Sequence, residues 1–281
     1  MSARVGSSLF LTRITSGRGR EIHTLSTNVA EVYDVIQMPN VTSSHNTESD
    51  VRVVPIPAHC RAVVARRMAA GGESLPCDPA TGAPRVPSVI LTGSYMHAGS
   101  FWRESQFMSV ATTLPTTGAL VPLRTWTLDD KDGYLKKRTQ KNWLPFFVPD
   151  DVKNTNPTLT GGGGGVSSID ADDNTCALMV SMRFAPEHVV SEFRAWSERG
   201  GALVLFNTAD ALSSPTPSEE EVQTRYFLRG SAPPVHHPVL KKGYMIGCVH
   251  VKGHRKVYRT LLYVMETKPP FKIVSFSGMC W

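Results

Sequence analysis

Short apolar stretches separated by turn residues constrain the fold of this chain more than any other feature of its sequence. The stretches are rich in Val, Ile, Leu, Tyr and Phe, and clusters of Gly, Pro, Ser and Asp lie between them. They occupy residues 8–15, 50–56, 60–67, 87–95, 106–113, 176–184, 202–207, 243–251, 257–265 and 271–278. Helical periodicity is almost absent. Residues 185–198 are ambiguous, because they fit either a short helix of one or two turns or a connection between strands. The pattern predicts an all-β chain, either a β-propeller or a sandwich or barrel.

The chain is long enough to bury a complete core, with 281 residues of which 41% are hydrophobic. Three polar segments rich in Gly, Pro and Ser interrupt the strand pattern, and we expect them to be exposed loops inserted into one domain, 1–281. They lie near residues 68–88, 150–174 and 211–222. The glycine run Gly161–Gly165 lacks the Lys and Ser/Thr that would follow it in a phosphate-binding loop.

Charge and composition exclude several classes of protein. The net charge of +6 suits an anionic ligand such as a phosphate or a nucleotide sugar. We expect no nucleic-acid partner, because the chain has neither a long Lys/Arg run nor a nucleic-acid-binding motif. No apolar run has the ~18 residues that a membrane span requires. The first twenty residues contain Arg4, Arg13, Arg18 and Arg20 and no acid, as a transit peptide would, although we favour an N-terminal strand.

The cysteines predict a reducing compartment. The chain has 5 cysteines, an odd number, widely spaced and without a Cys-x-x-Cys pair. We therefore expect free thiols, a cytoplasmic protein, and neither a metal nor a cofactor.

Polar residues cluster at the ends of several predicted strands. Asp50 and Arg52 are expected on one face at the mouth of a strand, where the alternative is an ordinary solvated strand end. Arg103 belongs to a loop cluster whose aromatic and polar groups suit a sugar, although a loop with a packed tryptophan explains it equally well. This cluster comprises Tyr95, His97, Trp102, Arg103 and Gln106.

A third cluster, Gln-Lys-Asn-Trp, precedes the apolar residues Pro145, Phe146 and Phe147. We expect the apolar part to anchor this segment while Lys141 and Asn142 project from it. Core packing alone would explain Trp143 but not its two polar neighbours.

The fourth cluster is a hairpin over residues 243–264 with a basic end. Period-2 alternation places Tyr244, Ile246, Cys248, His250 and Lys252 on one face and Met245, Gly247, Val249 and Val251 on the other. We interpret the His250 face as the inward one, so its cationic end, joined by the preceding Arg229, predicts an anion site. The remaining basic residues of the turn, residues 254–256, are expected to be solvated.

Taken in order, these motifs resemble a known family. Ser-Asp-Val-Arg, Gln-Lys-Asn-Trp-x-Pro-Phe, Leu-Arg-Gly-Ser-x-Pro, Gly-Tyr-x-x-Gly-x-x-His and Tyr-Arg-x-x-Leu-Tyr are similar to motifs of the five-bladed β-propeller sugar enzymes. That family includes mannoside phosphorylases and the β-mannosyltransferases of protists. The resemblance covers roughly residues 50–281 and implies a five-bladed β-propeller, in which one blade is reduced or incomplete.

The resemblance also implies an activity and roles for individual residues. Asp50 would be the catalytic proton donor, although Ser49 and Val51 replace the acid and the proline that flank it in the family. The implied activity transfers or phosphorolyses a mannosyl-type sugar, between a sugar phosphate or nucleotide sugar and a carbohydrate acceptor. The alternative is a non-catalytic propeller that binds glycan or protein. Together, the motifs and the clusters above predict a substrate and phosphate site formed by Arg52, Arg103, Lys141, Asn142, Trp143, Arg229, His250, Lys252 and Tyr258.

Overall fold

The structure, a computed structural model, describes most of the apolar stretches and part of the chain between them. The described ranges are 2–5, 8–14, 30–37, 47–72, 74–79, 81–96, 104–113, 120–130, 142–148, 176–217, 227–236, 240–252 and 258–277. Within these ranges the chain is mostly β, with one α-helix. The elements in chain order are β1 (Ser2–Val5), β2 (Ser8–Ile14), β3 (Ala30–Gln37), β4 (Thr47–Pro55), α1 (Arg61–Ala69), β5 (Val89–Met96), β6 (Glu104–Thr113), β7 (Leu120–Asp130), β8 (Leu144–Phe147), β9 (Leu178–Arg183), β10 (Glu187–Glu192), β11 (Leu203–Phe206), β12 (Leu212–Pro215), β13 (Phe227–Val235), β14 (Tyr244–Lys252), β15 (Tyr258–Glu266) and β16 (Ile273–Phe276).

The described strands form four sheets, none of which closes on itself. Their strand orders are β1-β2-β3, β11-β7-β6-β5-β4, β12-β10-β9-β8 and β13-β14-β15-β16. All neighbouring strands are antiparallel except β11, which pairs with β7 in parallel. In each of the last three sheets, the strand that comes first along the chain lies at one edge. These edge strands are β4, β8 and β13, and each of them contacts the other two. The all-β prediction is confirmed.

The sheet of β8, β9, β10 and β12 lies between two hydrophobic cores. One core joins it to the β4–β7 sheet and α1, where Trp126, Phe193 and Trp196 pack edge to face. The other joins it to the β13–β16 sheet, where Phe146 packs on Phe271. Because both faces of β8 are covered, its four residues are all buried, which explains a continuous apolar stretch there instead of alternation.

Two sequence predictions of secondary structure are wrong, and a segment that the sequence left open contains a strand. Residues 60–67, predicted as a strand, form α1, because Val63, Val64 and Met68 share one buried helical face. Residues 185–198, for which the sequence left open either a short helix or chain between strands, contain strand β10, whose central residues are buried. The predicted loop at 211–222 begins with β12, which pairs with β10. The predicted loop at 150–174 lies outside the described residues.

The cysteine prediction is also wrong for one pair. Cys60, at the start of α1, and Cys176, just before β9, form a disulfide across 116 residues of sequence. Cys77 and Cys248 are free thiols. The described residues contain no helix with the length and apolar character needed to cross a bilayer.

Candidate functional site

The side chain of Arg52 connects three sheets at the point where their first strands meet. Its Nη2 donates hydrogen bonds to Asn142 Oδ1 at 2.6 Å and to the Gly230 carbonyl at 3.0 Å. Its Nε donates to the Ser231 carbonyl at 3.0 Å. We call Arg52, Asn142, Gly230 and Ser231 the Arg52 junction. The planar guanidinium fits this arrangement because it presents several donors in fixed directions.

The backbone is irregular at each of the three chain segments that meet in the Arg52 junction. The pairing of β4 with β5 skips between Ser49 and Arg52, so that Asp50 and Val51 lie in a β-bulge. Asn142 has a positive φ of 68°. The pairing of β13 with β14 skips between Gly230 and Ala232, which leaves Ser231 in a second bulge. Bulges and left-handed non-glycine residues concentrate at functional sites, where they set the direction of a side chain.

Gly230 permits the close approach of β13 to the start of β8. A Cβ atom at this position would overlap the carbonyl oxygen of Asn142 and would lie 2.6 Å from Leu144 Cγ. Only glycine therefore fits between the two strands, which accounts for the glycine of the Leu-Arg-Gly-Ser stretch.

The structure positions the backbone of Asp50 but does not describe its side chain. Asp50 lies in β4, two residues before Arg52. Because the bulge interrupts the alternation of side chains, strand geometry alone no longer places the two residues on one face. The remaining undescribed predicted residues are Arg103 and Lys141, outside the described ranges, and Lys252, of which only the backbone is described.

Trp143 lies in the core. It is 1% exposed, and its ring packs edge to face on Phe206 with 5.5 Å between ring centroids. This arrangement matches the core-packing alternative for the aromatic part of the Gln-Lys-Asn-Trp segment. Asn142 is buried as well, at 3% exposed, and binds Arg52.

Arg229, His250 and Tyr258 lie on one face of the β13–β16 sheet. Arg229 pairs directly with His250 across β13 and β14. The rings of His250 and Tyr258 are 5.6 Å apart, and Tyr258 is 59% exposed. Within the described part of the chain the Arg229 guanidinium has no hydrogen-bond or ion-pair partner. The three residues form a half-exposed cationic and aromatic patch.

The prediction that the His250 face of β14 points inward is wrong. The alternation itself is correct, but the buried side chains are Met245, Val249 and Val251, on the opposite face. Those side chains pack against β15 and the neighbouring sheet in the second core. His250 is half-buried. The polar face needs no counter-ion, because water reaches it.

The cationic patch and the Arg52 junction occupy opposite faces of β13. Gly230 faces Asn142 and Leu144, and successive residues of a strand point to opposite faces, so Arg229 is directed away from the junction. Arg52 and Asn142 are thus in contact, whereas Arg229 and His250 lie on the other side of β13.

A row of buried polar residues lies beside the bulge that contains Asp50, and two of them, Thr92 and Ser94, were not predicted from the sequence. Thr92 is paired with Arg52, Ser94 with Ser49, and Gln106 with Ser94. All three are 1% exposed, and within the described residues Thr92 Oγ1 has no hydrogen-bond partner. The alternation of Thr92 and Ser94 with apolar residues in β5 was the available signal.

Two further groups of residues lie outside the Arg52 junction. A cavity of about 260 Å³ beside β10, β11 and β12 is lined by several acidic residues, including Glu192, Glu198 and Asp210, and contains none of the predicted site residues. Among the described residues, one group has the composition and spacing of metal ligands: His59, Cys60 and Cys176.

No protein-family model, no curated protein and no solved structure matches this chain.

Proposed function

We propose that this protein is a carbohydrate-active enzyme that transfers or phosphorolyses a mannosyl-type sugar. One observation carries the proposal: β4, β8 and β13, which contain three of the motifs of the family resemblance, meet at the Arg52 junction although Arg52 and Ser231 are 179 residues apart. Meanders whose first strands meet are also the arrangement of propeller blades around a central axis. Five blades require one sheet beyond the four that the described residues form.

In this mechanism Asp50 supplies the proton and Arg52 organises its surroundings. During phosphorolysis Asp50 protonates the departing glycosidic oxygen, directly or through a sugar hydroxyl. A phosphate oxygen attacks the anomeric carbon as the bond to the leaving oxygen breaks, and the products are a sugar 1-phosphate and the shortened acceptor. Transfer from a sugar 1-phosphate is the reverse reaction, in which the acceptor hydroxyl gives its proton to Asp50 and displaces phosphate. With a nucleotide sugar, the acceptor hydroxyl displaces the nucleoside diphosphate.

Arg229 and His250 bind the phosphate in this proposal. The half-exposed Arg229 guanidinium supplies a bidentate fork and His250 a titratable donor. They lie across β13 from the Arg52 junction, so the proposed reaction requires the anomeric carbon to lie at the end of β13, where a phosphate held by Arg229 and His250 can reach it.

Turnover tests the proposed reaction. The purified chain is incubated with mannose and either mannose 1-phosphate or GDP-mannose, and the products are separated by chromatography. We expect a mannoside product that disappears with Asp50→Asn, because in the direction of synthesis residue 50 must accept the proton of the acceptor hydroxyl, and an amide is a far weaker base than a carboxylate. Asp210→Asn, an exposed carboxylate outside the junction, should retain activity. Equal turnover by the Asp50→Asn variant and the wild type would refute the role of Asp50.

The phosphate site is tested by calorimetry. Arg229→Ala removes a charged hydrogen bond worth about 1 to 3 kcal/mol, so the affinity for mannose 1-phosphate should fall about fivefold to a hundredfold. Binding of neutral mannose should not change. Arg199→Ala, which removes another exposed arginine, is the control. An unchanged affinity for the sugar phosphate in Arg229→Ala would show that the patch is only the solvated end of a hairpin.

A non-catalytic propeller that binds glycan or protein is the second candidate. Nε and Nη2 of Arg52 both donate to acceptors of the protein itself, so Arg52 stabilises the fold. Ser49 and Val51 depart from the family pattern beside Asp50. This candidate predicts saturable glycan binding with no turnover of either donor.

The cytoplasmic location also remains a proposal. The bond between Cys60 and Cys176 argues against it, because structural disulfides are rare in reducing compartments.

A further inference from the structure

A second cluster of chemically reactive side chains lies where β4 leads into α1. His59 and Cys60 are neighbours in the short 3-10 helix that precedes α1, and Cys176 approaches them from the start of β9. The ligand atoms of the three side chains all lie within 4.8 Å of one another. The two cysteines are fully buried, whereas His59 is exposed.

We propose that these three residues bind one zinc ion when the disulfide is reduced. Two thiolates and an imidazole are ligands that zinc prefers, and three protein ligands leave a fourth position for water. Because His59 is exposed, the fourth coordination position of the zinc ion would lie at the protein surface. The proposal is independent of the sugar chemistry.

The local geometry suits a tetrahedral ion. With zinc–sulfur bonds of about 2.3 Å, the two sulfurs of a tetrahedral site lie about 3.8 Å apart, so reduction must let Cys60 and Cys176 separate by a rotation of their side chains. Their Cα atoms, 5.4 Å apart, need not move far. An Arg67 Nη1 donates a hydrogen bond of 2.9 Å to the Cys176 carbonyl and holds this segment against α1.

The local electrostatics favour thiolates. Cys60 is the N-cap residue of α1, whose nine residues present a partial positive charge at this end. The cationic side chain of Arg67 is a second positive charge held near Cys176 by its hydrogen bond. Both effects stabilise the deprotonated sulfur that binds a metal.

The site was hidden in the sequence because its ligands are not close along the chain. A zinc site was not expected, since no two cysteines have the Cys-x-x-Cys spacing. Here 116 residues separate Cys60 from Cys176, and the tertiary fold brings them together.

The chemistry requires a reductant and releases protons. A phosphine attacks one sulfur, the S–S bond breaks, and water completes the reaction, which gives the phosphine oxide and two thiols. Binding of Zn²⁺ then displaces the two thiol protons. The disulfide and the zinc complex are therefore mutually exclusive forms of the same pair of cysteines.

The test measures zinc in the full chain. Phosphine-reduced protein is mixed with excess Zn²⁺ without oxygen, freed of unbound metal, and analysed for metal per chain. We expect one zinc ion in the reduced wild type and none in the protein with its disulfide intact. Cobalt in place of zinc should give the absorption of a tetrahedral thiolate complex.

Substitutions then identify the ligands. His59→Ala changes an exposed side chain, so it should leave the fold intact, which circular dichroism checks, and should weaken zinc binding at least tenfold. His236→Ala and Cys77→Ser alter an exposed histidine and an exposed free thiol and should bind zinc like the wild type. The proposal is overturned if reduced wild type retains no zinc, if His59→Ala binds zinc as tightly as wild type, or if Cys77→Ser abolishes binding.

Discussion

Acid should destabilise this protein through one buried histidine. His188, the second residue of β10, is fully buried and stacks on Phe184. Its Nδ1 is 2.8 Å from the Phe271 carbonyl, which can only accept, so Nδ1 carries the proton and Nε2 accepts from the Ser181 hydroxyl at 3.1 Å. Both ring nitrogens are satisfied in the neutral form. The ring joins the β8–β12 sheet to the segment before β16.

Burial lowers the pKa of His188 from 6.5 to about 4, although the hydrogen bond to Phe271 partly opposes this shift. The unfolded chain binds a proton at this residue below pH 6.5, whereas the folded chain does so only near pH 4. Unfolding therefore takes up a proton between these two values, and stability falls as the pH falls. At about 1.4 kcal/mol for each tenfold change in proton affinity, His188 should remove about 2 kcal/mol of stability by pH 5 and about 3 kcal/mol by pH 4.

Urea denaturation at a series of pH values measures this effect. The His188→Gln variant cannot titrate but keeps a donor and an acceptor, so the difference in pH dependence between it and the wild type isolates the histidine. We expect the wild type to lose about 2 kcal/mol more than the variant between pH 8 and pH 5. His236→Gln, at an exposed histidine, should behave like the wild type. Parallel pH profiles of the wild type and His188→Gln would refute the reasoning.

Three further substitutions test the packing around the candidate site and the second core by urea denaturation. Arg52→Lys should lose about 2 kcal/mol because lysine cannot form the three-way connection, while Arg199→Lys should change stability little. Gly230→Ala should lose about 3 kcal/mol, since its methyl group would overlap the Asn142 carbonyl; wild-type stability would contradict the close approach of β13. Tyr263→Phe should gain about 1 kcal/mol, because the buried hydroxyl has no hydrogen-bond partner among the described residues, and a loss would imply a missing partner.

Local sequence was sufficient to predict the strands at the chain's apolar stretches. In β14 and β15 side chains alternate with period two, and turn residues bound the strands, so the fold class followed from backbone geometry alone. The same reasoning from local sequence wrongly predicted a strand at residues 60–67. Val63 and Val64 favour a strand, but their position beside Met68 lets them share a helical face against the core, and tertiary packing overrides the propensity.

The sequence also predicted which segments would contribute to the candidate site, but not how they meet. The Ser-Asp-Val-Arg, Lys-Asn-Trp and Arg-Gly-Ser stretches were identified from their polar residues among apolar neighbours. That Arg52 binds Asn142 and Ser231, at separations of 90 and 179 residues, has no local signal.

Which face of a strand is buried was likewise decided by the tertiary structure. Alternation determines that His250 and Val249 lie on opposite faces of β14. It does not determine which face meets a neighbouring sheet, and here Val249 is buried in the second core while His250 is half-exposed. The disulfide between Cys60 and Cys176 was also decided by the tertiary structure, because the two cysteines are 116 residues apart in the sequence. Local sequence sets the direction of each side chain relative to its own strand, whereas burial and long-range contacts depend on how whole sheets pack, because the hydrophobic free energy depends on the total area that they remove from water.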